Sequence, residues 1–125
     1  MEDQIKKKIL VIEDDRSLQN AMTEMLAQEG FQSVSAFDGD EGLEKLKIEK
    51  PDLILLDIIL PKKDGYEVLA EIKKGESKDT PVMILTNLEE IENVQKALDL
   101  GATTFMVKSD FSLKDILEKI KENLK

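Results

Sequence analysis

The sequence predicts an α/β fold: a five-stranded parallel sheet, in the order 2-1-3-4-5, covered by helices on both faces. Three observations predict it. Short apolar runs alternate with amphipathic stretches five times along the 125 residues. Three of those runs are apolar along nearly their whole length, as parallel strands buried on both faces are. Five such units are too few for an eight-stranded barrel, which leaves an open sheet joined by right-handed crossovers.

The runs KILVI (8–12), SVSAF (33–37), DLILLD (52–57), VMILT (82–86) and TFMVK (104–108) are rich in β-branched or bulky residues and read as strands. Residues 16–29 place Leu18, Ala21, Met22, Met25 and Leu26 on one helical face, and Gly30 stands where a left-handed cap is expected. Residues 40–49 repeat the pattern with Leu43, Leu46 and Lys47, stopping before Pro51, which disfavours helix at Lys50. Residues 65–74 follow with Tyr66, Val68, Leu69 and Ile72, and Gly75 comes after the two lysines of the last turn. Helices over 89–100, closing at Gly101, and over 112–124 complete the chain. No repeat, low-complexity tract or Pro/Gly/Ser-rich linker divides it, so 1–125 reads as a single domain.

Composition narrows the chemistry. At 41% hydrophobic residues the chain can bury a core without staples, and it contains no cysteine, which excludes thiol chemistry and fits a reducing compartment. It contains no histidine, so imidazole bases, imidazole metal ligands and a phosphohistidine on this chain are excluded. A net charge of −9 repels polyanions, which argues against direct binding of nucleic acid or an anionic membrane and toward proteins or cations as partners. With no apolar run of about 18 residues and no leader-like start, a cytoplasmic protein is expected.

In such a sheet, ligands bind outside the carboxyl ends of the strands, at the crevice where the strand order reverses. Strand one ends in Glu13, Asp14 and Asp15, strand three in Asp57, strand four in Thr86 and strand five in Lys108. Carboxylates drawn to within about 5 Å repel by about 3 kcal/mol per pair at an effective dielectric of 20, a cost that makes sense if a cation sits between them. Oxygen-only ligands point to a hard ion, Mg²⁺ before Ca²⁺. Asp57 can then act as a nucleophile toward phosphorus, giving an aspartyl phosphate, with Thr86 and Lys108 as donors to the remaining oxygens. Each residue alone also admits a plainer reading. The acidic triplet can be a helix cap, Asp57 a turn former, Thr86 a cap and Lys108 a solvated strand end.

Taken together, ILVIEDD, PDLILLDIILPKKDG, PVMILT and FMVK, in that order and spacing, resemble the receiver domain of two-component response regulators over essentially the whole chain. The resemblance implies the flavodoxin-like three-layer (βα)5 sandwich and a chain that assists only its own phosphorylation and dephosphorylation. It implies Asp57 as phosphoacceptor, with Glu13, Asp14, Asp57 and the backbone carbonyl of Ile59 around Mg²⁺. It implies Thr86 and Lys108 as the conserved hydroxyl and lysine, Phe105 as the aromatic whose rotamer follows phosphorylation, and Asp64-Gly65 as the turn closing the loop. The implied partners are a sensor histidine kinase or histidine phosphotransfer protein and a downstream protein or attached output domain. They act on a monomer or a phosphorylation-dependent dimer whose helix 4, strand 5 and helix 5 surface switches.

Two positions depart from the family pattern. Lys108 is followed by Ser109 where proline after a cis bond is usual, so a trans bond with an altered loop or a strained bond is expected. Asn87 replaces a small residue and is expected to narrow access for small phosphodonors. Ile59 and Leu88 flank the site and are expected to hinder an attacking water. A haloacid-dehalogenase-type phosphohydrolase also pairs an aspartate nucleophile with Mg²⁺, but it has a second aspartate two residues on, where this chain has Ile59. A flavodoxin-like electron carrier would need a loop rich in Ser, Thr and Gly after strand one, where the acidic triplet would repel the FMN phosphate. A pseudo-receiver that only binds proteins would not need this set of phosphorylation residues.

Overall fold

A computed structural model describes residues 6–87 and 91–124. The elements alternate as β1 (Lys8–Ile12), α1 (Arg16–Gln28), β2 (Gln32–Ala36), α2 (Gly39–Glu49), β3 (Leu53–Leu56), α3 (Gly65–Lys74), β4 (Val82–Thr86), α4 (Ile91–Asp99), β5 (Thr104–Val107) and α5 (Leu113–Asn123). All strand pairs are parallel and the sheet order is β2-β1-β3-β4-β5. The predicted fold class and order hold.

Period-two alternation divides the core. Ile9 and Val11 of β1, with Leu53 and Leu55 of β3, face Met22 and Leu26 of α1 and Ile116 and Ile120 of α5. Leu10 and Ile12, with Ile54 and Leu56, face the opposite layer, where Leu46, Val68, Leu69, Ile72 and Ala97 come from α2, α3 and α4. Each buried Leu or Ile contributes about 1.5–3 kcal/mol relative to exposure, so both layers are needed to hold the central strands. Register fixes where those strands stop: Ile12 lies opposite both Ala36 and Leu56, and Leu56 lies opposite Ile84.

Helix ends follow local chemistry. Asp15 caps α1 by accepting from the Leu18 N–H, and Asp38 caps α2 through the Glu41 N–H. Asp64–Glu67 and Ser112–Asp115 form reciprocal capping boxes, so Ser112 precedes α5 rather than opening it. Gly30, at φ +89°, closes α1 as expected, with Phe31 N–H donating to the Leu26 carbonyl and Gly30 N–H to that of Ala27. Gly75 instead ends α3 in an extended conformation open to any residue. Lys50, barred from right-handed helix by Pro51, turns through the left-handed region at φ 47°.

Leu10 is fully buried, whereas Ile48 on α2 is 75% exposed. Leu10→Ala should therefore lower the unfolding free energy by about 2–5 kcal/mol. Ile48→Ala should change it by less than about 0.5 kcal/mol. Urea denaturation of the two variants checks the contrast, and equal losses would contradict the assigned core.

Candidate functional site

Glu13, Asp57, Thr86 and Lys108 stand at the carboxyl ends of β1, β3, β4 and β5, along one edge of the sheet, and the side chains after β1, β3 and β5 meet there. Glu13 is the first residue after β1, and its backbone N–H still bonds the Ala36 carbonyl at 3.0 Å, so the strand holds it beyond its own end. Asp57 is held in the same way after β3, its N–H donating to the Ile12 carbonyl at 3.1 Å. Thr86 is the last residue of β4. Lys108 opens a short 3-10 turn, Lys108–Asp110, immediately after β5.

Burial is nearly complete at the centre: Glu13 is 4% exposed, Asp57 5% and Thr86 0%. The Lys108 ammonium sits between the first two, 2.7 Å from Glu13 Oε1 and 2.8 Å from Asp57 Oδ2. The remaining oxygens are also engaged, since Ile59 N–H donates to Asp57 Oδ1 at 3.1 Å and Asp15 N–H to Glu13 Oε2 at 3.0 Å. Thr86 Oγ1 alone among the described buried side-chain polar atoms has no partner. Gly65 closes the loop after β3: its N–H bonds the Ile58 carbonyl at 2.8 Å, and a side chain there would fall on the Asp57 carbonyl oxygen.

Burial raises the Glu13 carboxyl above its ordinary range, and the Asp57 charge adds to the rise against the hydrogen bonds from Lys108 and Asp15. Burial alone would lower the Lys108 ammonium, but hydrogen bonds to Asp57 and Glu13 outweigh it and hold the group above its usual value. The crevice thus stabilises positive charge.

Glu13, Asp14 and Asp57 each offer an oxygen, all within 4.8 Å of one another. This donor set, with neither imidazole nor thiolate, fits Mg²⁺.

Other expected residues take secondary places. Asp15 is exposed and caps α1, and Asn87, next in sequence to Thr86, is exposed. Phe105, like Tyr66, is half-buried against the α2/α3/α4 layer. Ile59 exposes 55% of its surface; Leu88 lies outside the described residues. The described chain contains no cis peptide, so the Lys108-Ser109 bond is trans, and the 3-10 turn is the altered loop that still brings the lysine amine to Asp57.

Two features escaped the sequence reading. Gln19 is 1% exposed under the β1 end, at the i, i+3, i+7 spacing with buried Met22 and Leu26 that marks the inner face of α1. The Tyr66 hydroxyl on α3 donates to Asn93 Oδ1 on α4 at 2.7 Å, and the Lys96 ammonium lies 4.3 Å from the Tyr66 ring centroid. Asn93 and Lys96 both lie far from Tyr66 in sequence, so only folding reveals the tie.

A carboxyl whose folded pKa is raised binds its proton more tightly in the folded chain. The stability it contributes is present below its ordinary value of 4.5 and is lost as pH rises through the raised folded value. In EDTA the wild type should therefore lose stability relative to Glu13→Gln as pH rises above that ordinary value. Urea unfolding at stepped pH measures this, and a constant difference would assign the titration elsewhere.

Comparison with known proteins matches this geometry. The family model of the response regulator receiver domain matches residues 9–121. The probable transcriptional regulator ycf27 of Cyanophora paradoxa is 38% identical over 120 residues, covering 96% of this chain and 49% of that protein. The alkaline phosphatase synthesis transcriptional regulatory protein PhoP of Bacillus subtilis (strain 168) is 36% identical over 121 residues, covering 97% and 50%. The chain thus spans about half the length of these curated relatives. Among solved structures, a CheY-like response regulator receiver domain protein from Methanospirillum hungatei JF-1 superposes with a TM-score of 0.90 at 32% identity, covering 96% of this chain and 94% of that one. Sheet order, acidic cluster and family match agree: the chain belongs to the response regulator receiver domains, a family of signalling phosphoacceptors in two-component systems.

Proposed function

We propose that Asp57 accepts a phosphoryl group from the phosphohistidine of a sensor histidine kinase or a histidine phosphotransfer protein. The donor's phosphorus–nitrogen bond breaks, a phosphorus–oxygen bond to the Asp57 carboxylate forms, and the electron pair leaves on the donor imidazole. The observation that carries this reading is the pairing of Asp57 with the Lys108 ammonium, together with a buried, unpartnered Thr86 hydroxyl at the end of the adjacent strand β4. An unsatisfied buried hydroxyl costs about 1–3 kcal/mol, and a phosphoryl oxygen would remove that cost.

The chain's own residues divide the work. Asp57 attacks, held in line by its main-chain bond to Ile12 and by the Ile59 N–H on its side chain. Lys108 neutralises charge on the transferred group, and Thr86 donates to it. Glu13, Asp14, Asp57 and the Ile59 carbonyl would hold Mg²⁺, which when bound would supply charge neutralisation for the phosphoryl oxygens. Ile59, two residues after the nucleophile, cannot activate water, so the phosphoaspartate persists as a signal instead of turning over.

In the phosphorylated state Thr86 moves toward the phosphoryl group, Phe105 turns into the space it leaves, and the α4–β5–α5 face changes its affinity for a downstream protein or an attached output domain. Leu98 on α4 and Leu113 on α5 are 43% and 36% exposed, which supports a protein-binding role for that face. The names of the curated relatives, transcriptional regulatory proteins of about twice this length, support an attached output as one form of it. The net charge of −9 supports a domain that does not itself touch nucleic acid. Among the described residues no helix is long and apolar enough to cross a membrane.

Intact mass after incubation with a small phosphodonor should show one Mg²⁺-dependent phosphoryl adduct that is absent in Asp57→Asn. An adduct that persists in Asp57→Asn, or no adduct even with a kinase-supplied donor, would refute the assignment. Ile59→Asp, which places an acid–base group two residues after the nucleophile, should shorten the adduct's lifetime several-fold in a decay time course; an unchanged lifetime would show that Ile59 does not restrain hydrolysis.

A further inference from the structure

Gln19 is a primary amide on the buried face of α1, in a stripe otherwise occupied by Met22 and Leu26. A buried amide is costly unless its hydrogen bonds are made. Here they are: Nε2 donates to the carbonyls of Val11 at 2.8 Å, Ala36 at 3.0 Å and, at a longer 3.3 Å, Glu13. Oε1 in turn accepts from the Ser35 hydroxyl at 3.0 Å. One side chain therefore ties the end of β1, the end of β2 and α1 together.

The place it ties is the one that matters for the acidic pair. Glu13 lies past the last paired residue of β1, and its main chain is held there by its own N–H to the Ala36 carbonyl and by Gln19 on its carbonyl. The Ala36 carbonyl receives both bonds, so Gln19 braces the β1–β2 end on both strands at once. Asp14, the next residue, inherits that position. We propose that Gln19 is a positioning residue of the site, holding the main chain of Glu13 so that Glu13 and Asp14 reach the cation shared with Asp57. It touches neither metal nor phosphoryl group. An apolar side chain of equal size would pack equally well against Met22 and Leu26 but would leave the three carbonyls without this donor.

This inference rests on the phosphoacceptor reading. The test is a Mg²⁺ titration of the ¹⁵N-labelled chain followed by amide shifts, comparing wild type with Gln19→Met. A parallel measurement without metal records hydrogen exchange at the Glu13 amide against that at Ile84 in the central sheet. Gln19→Met should raise the Mg²⁺ dissociation constant about tenfold, the low end for residues that orient metal ligands. It should also speed exchange at Glu13 selectively, with Ile84 unchanged. A purely structural role would move both amides together and leave the metal affinity alone.

Should Gln19→Met fail to fold, Ser35→Ala decides, because it removes only the hydroxyl that orients the amide and should weaken Mg²⁺ in the same direction by a smaller factor. Equal affinity for Mg²⁺ in wild type and the folded variants overturns the inference. Absence of any Mg²⁺-induced shift in the wild type overturns the phosphoacceptor reading as well, a result distinct from equal affinities.

Discussion

Two buried carboxylates share one ammonium, and the rest of the structure is arranged around that fact. Glu13 and Asp57 sit on adjacent strands with almost no exposure, where their mutual repulsion would push the β1 and β3 ends apart if nothing stood between them. Lys108, arriving from the far edge of the sheet, supplies the intervening charge at 2.7 and 2.8 Å. One ammonium does not balance two carboxylates and a third nearby at Asp14, so the crevice remains a place that favours added positive charge. Under the proposed phosphoacceptor role, a cation and a phosphoryl group entering together would answer both the excess negative charge and the unpartnered Thr86 hydroxyl.

The sheet converts this local charge problem into a matter of strand length. Because all five strands run the same way, every strand ends at the same edge, and a residue placed one step past a strand end stays tied by its backbone N–H to its neighbour. Asp57 and Glu13 are both fixed by such an extra rung. The two hydrophobic layers then make those end points rigid, since sliding any central strand by one residue would exchange the side chains facing α1 and α5 with those facing α2, α3 and α4.

That dependence on strand ends explains what could be read from the sequence. Apolar runs and helical stripes locate the strands, and the strands locate Glu13, Asp57, Thr86 and Lys108, so the site was legible as soon as the sheet order was. Features set by tertiary contact were not. Gln19 interrupts an apolar stripe, and a stripe is recognised by its apolar members, so a polar residue with buried partners on three strand-end carbonyls passes for an exposed one. Proline after Lys50 signals that a helix must stop but not that the chain will reverse through the left-handed region. A serine after Lys108 leaves the loop open to several shapes, and only the folded chain shows a 3-10 turn with the amine on the two carboxylates.

The tie between Tyr66 and α4 bears on how quiet the resting protein is. Tyr66 follows Gly65 directly, and Gly65 is packed against the Asp57 main chain, so α4 is tethered one residue away from the nucleophile's own support. Any excursion that carries α4 away from α3 has to break the hydroxyl bond to Asn93, at about 1 kcal/mol, and the Lys96 contact with the ring, at about 0.5–1 kcal/mol. Together these thin the spontaneous population of such excursions by about tenfold. Were the proposed switch to move α4, this one tyrosine would help set the background against which a signal must be heard.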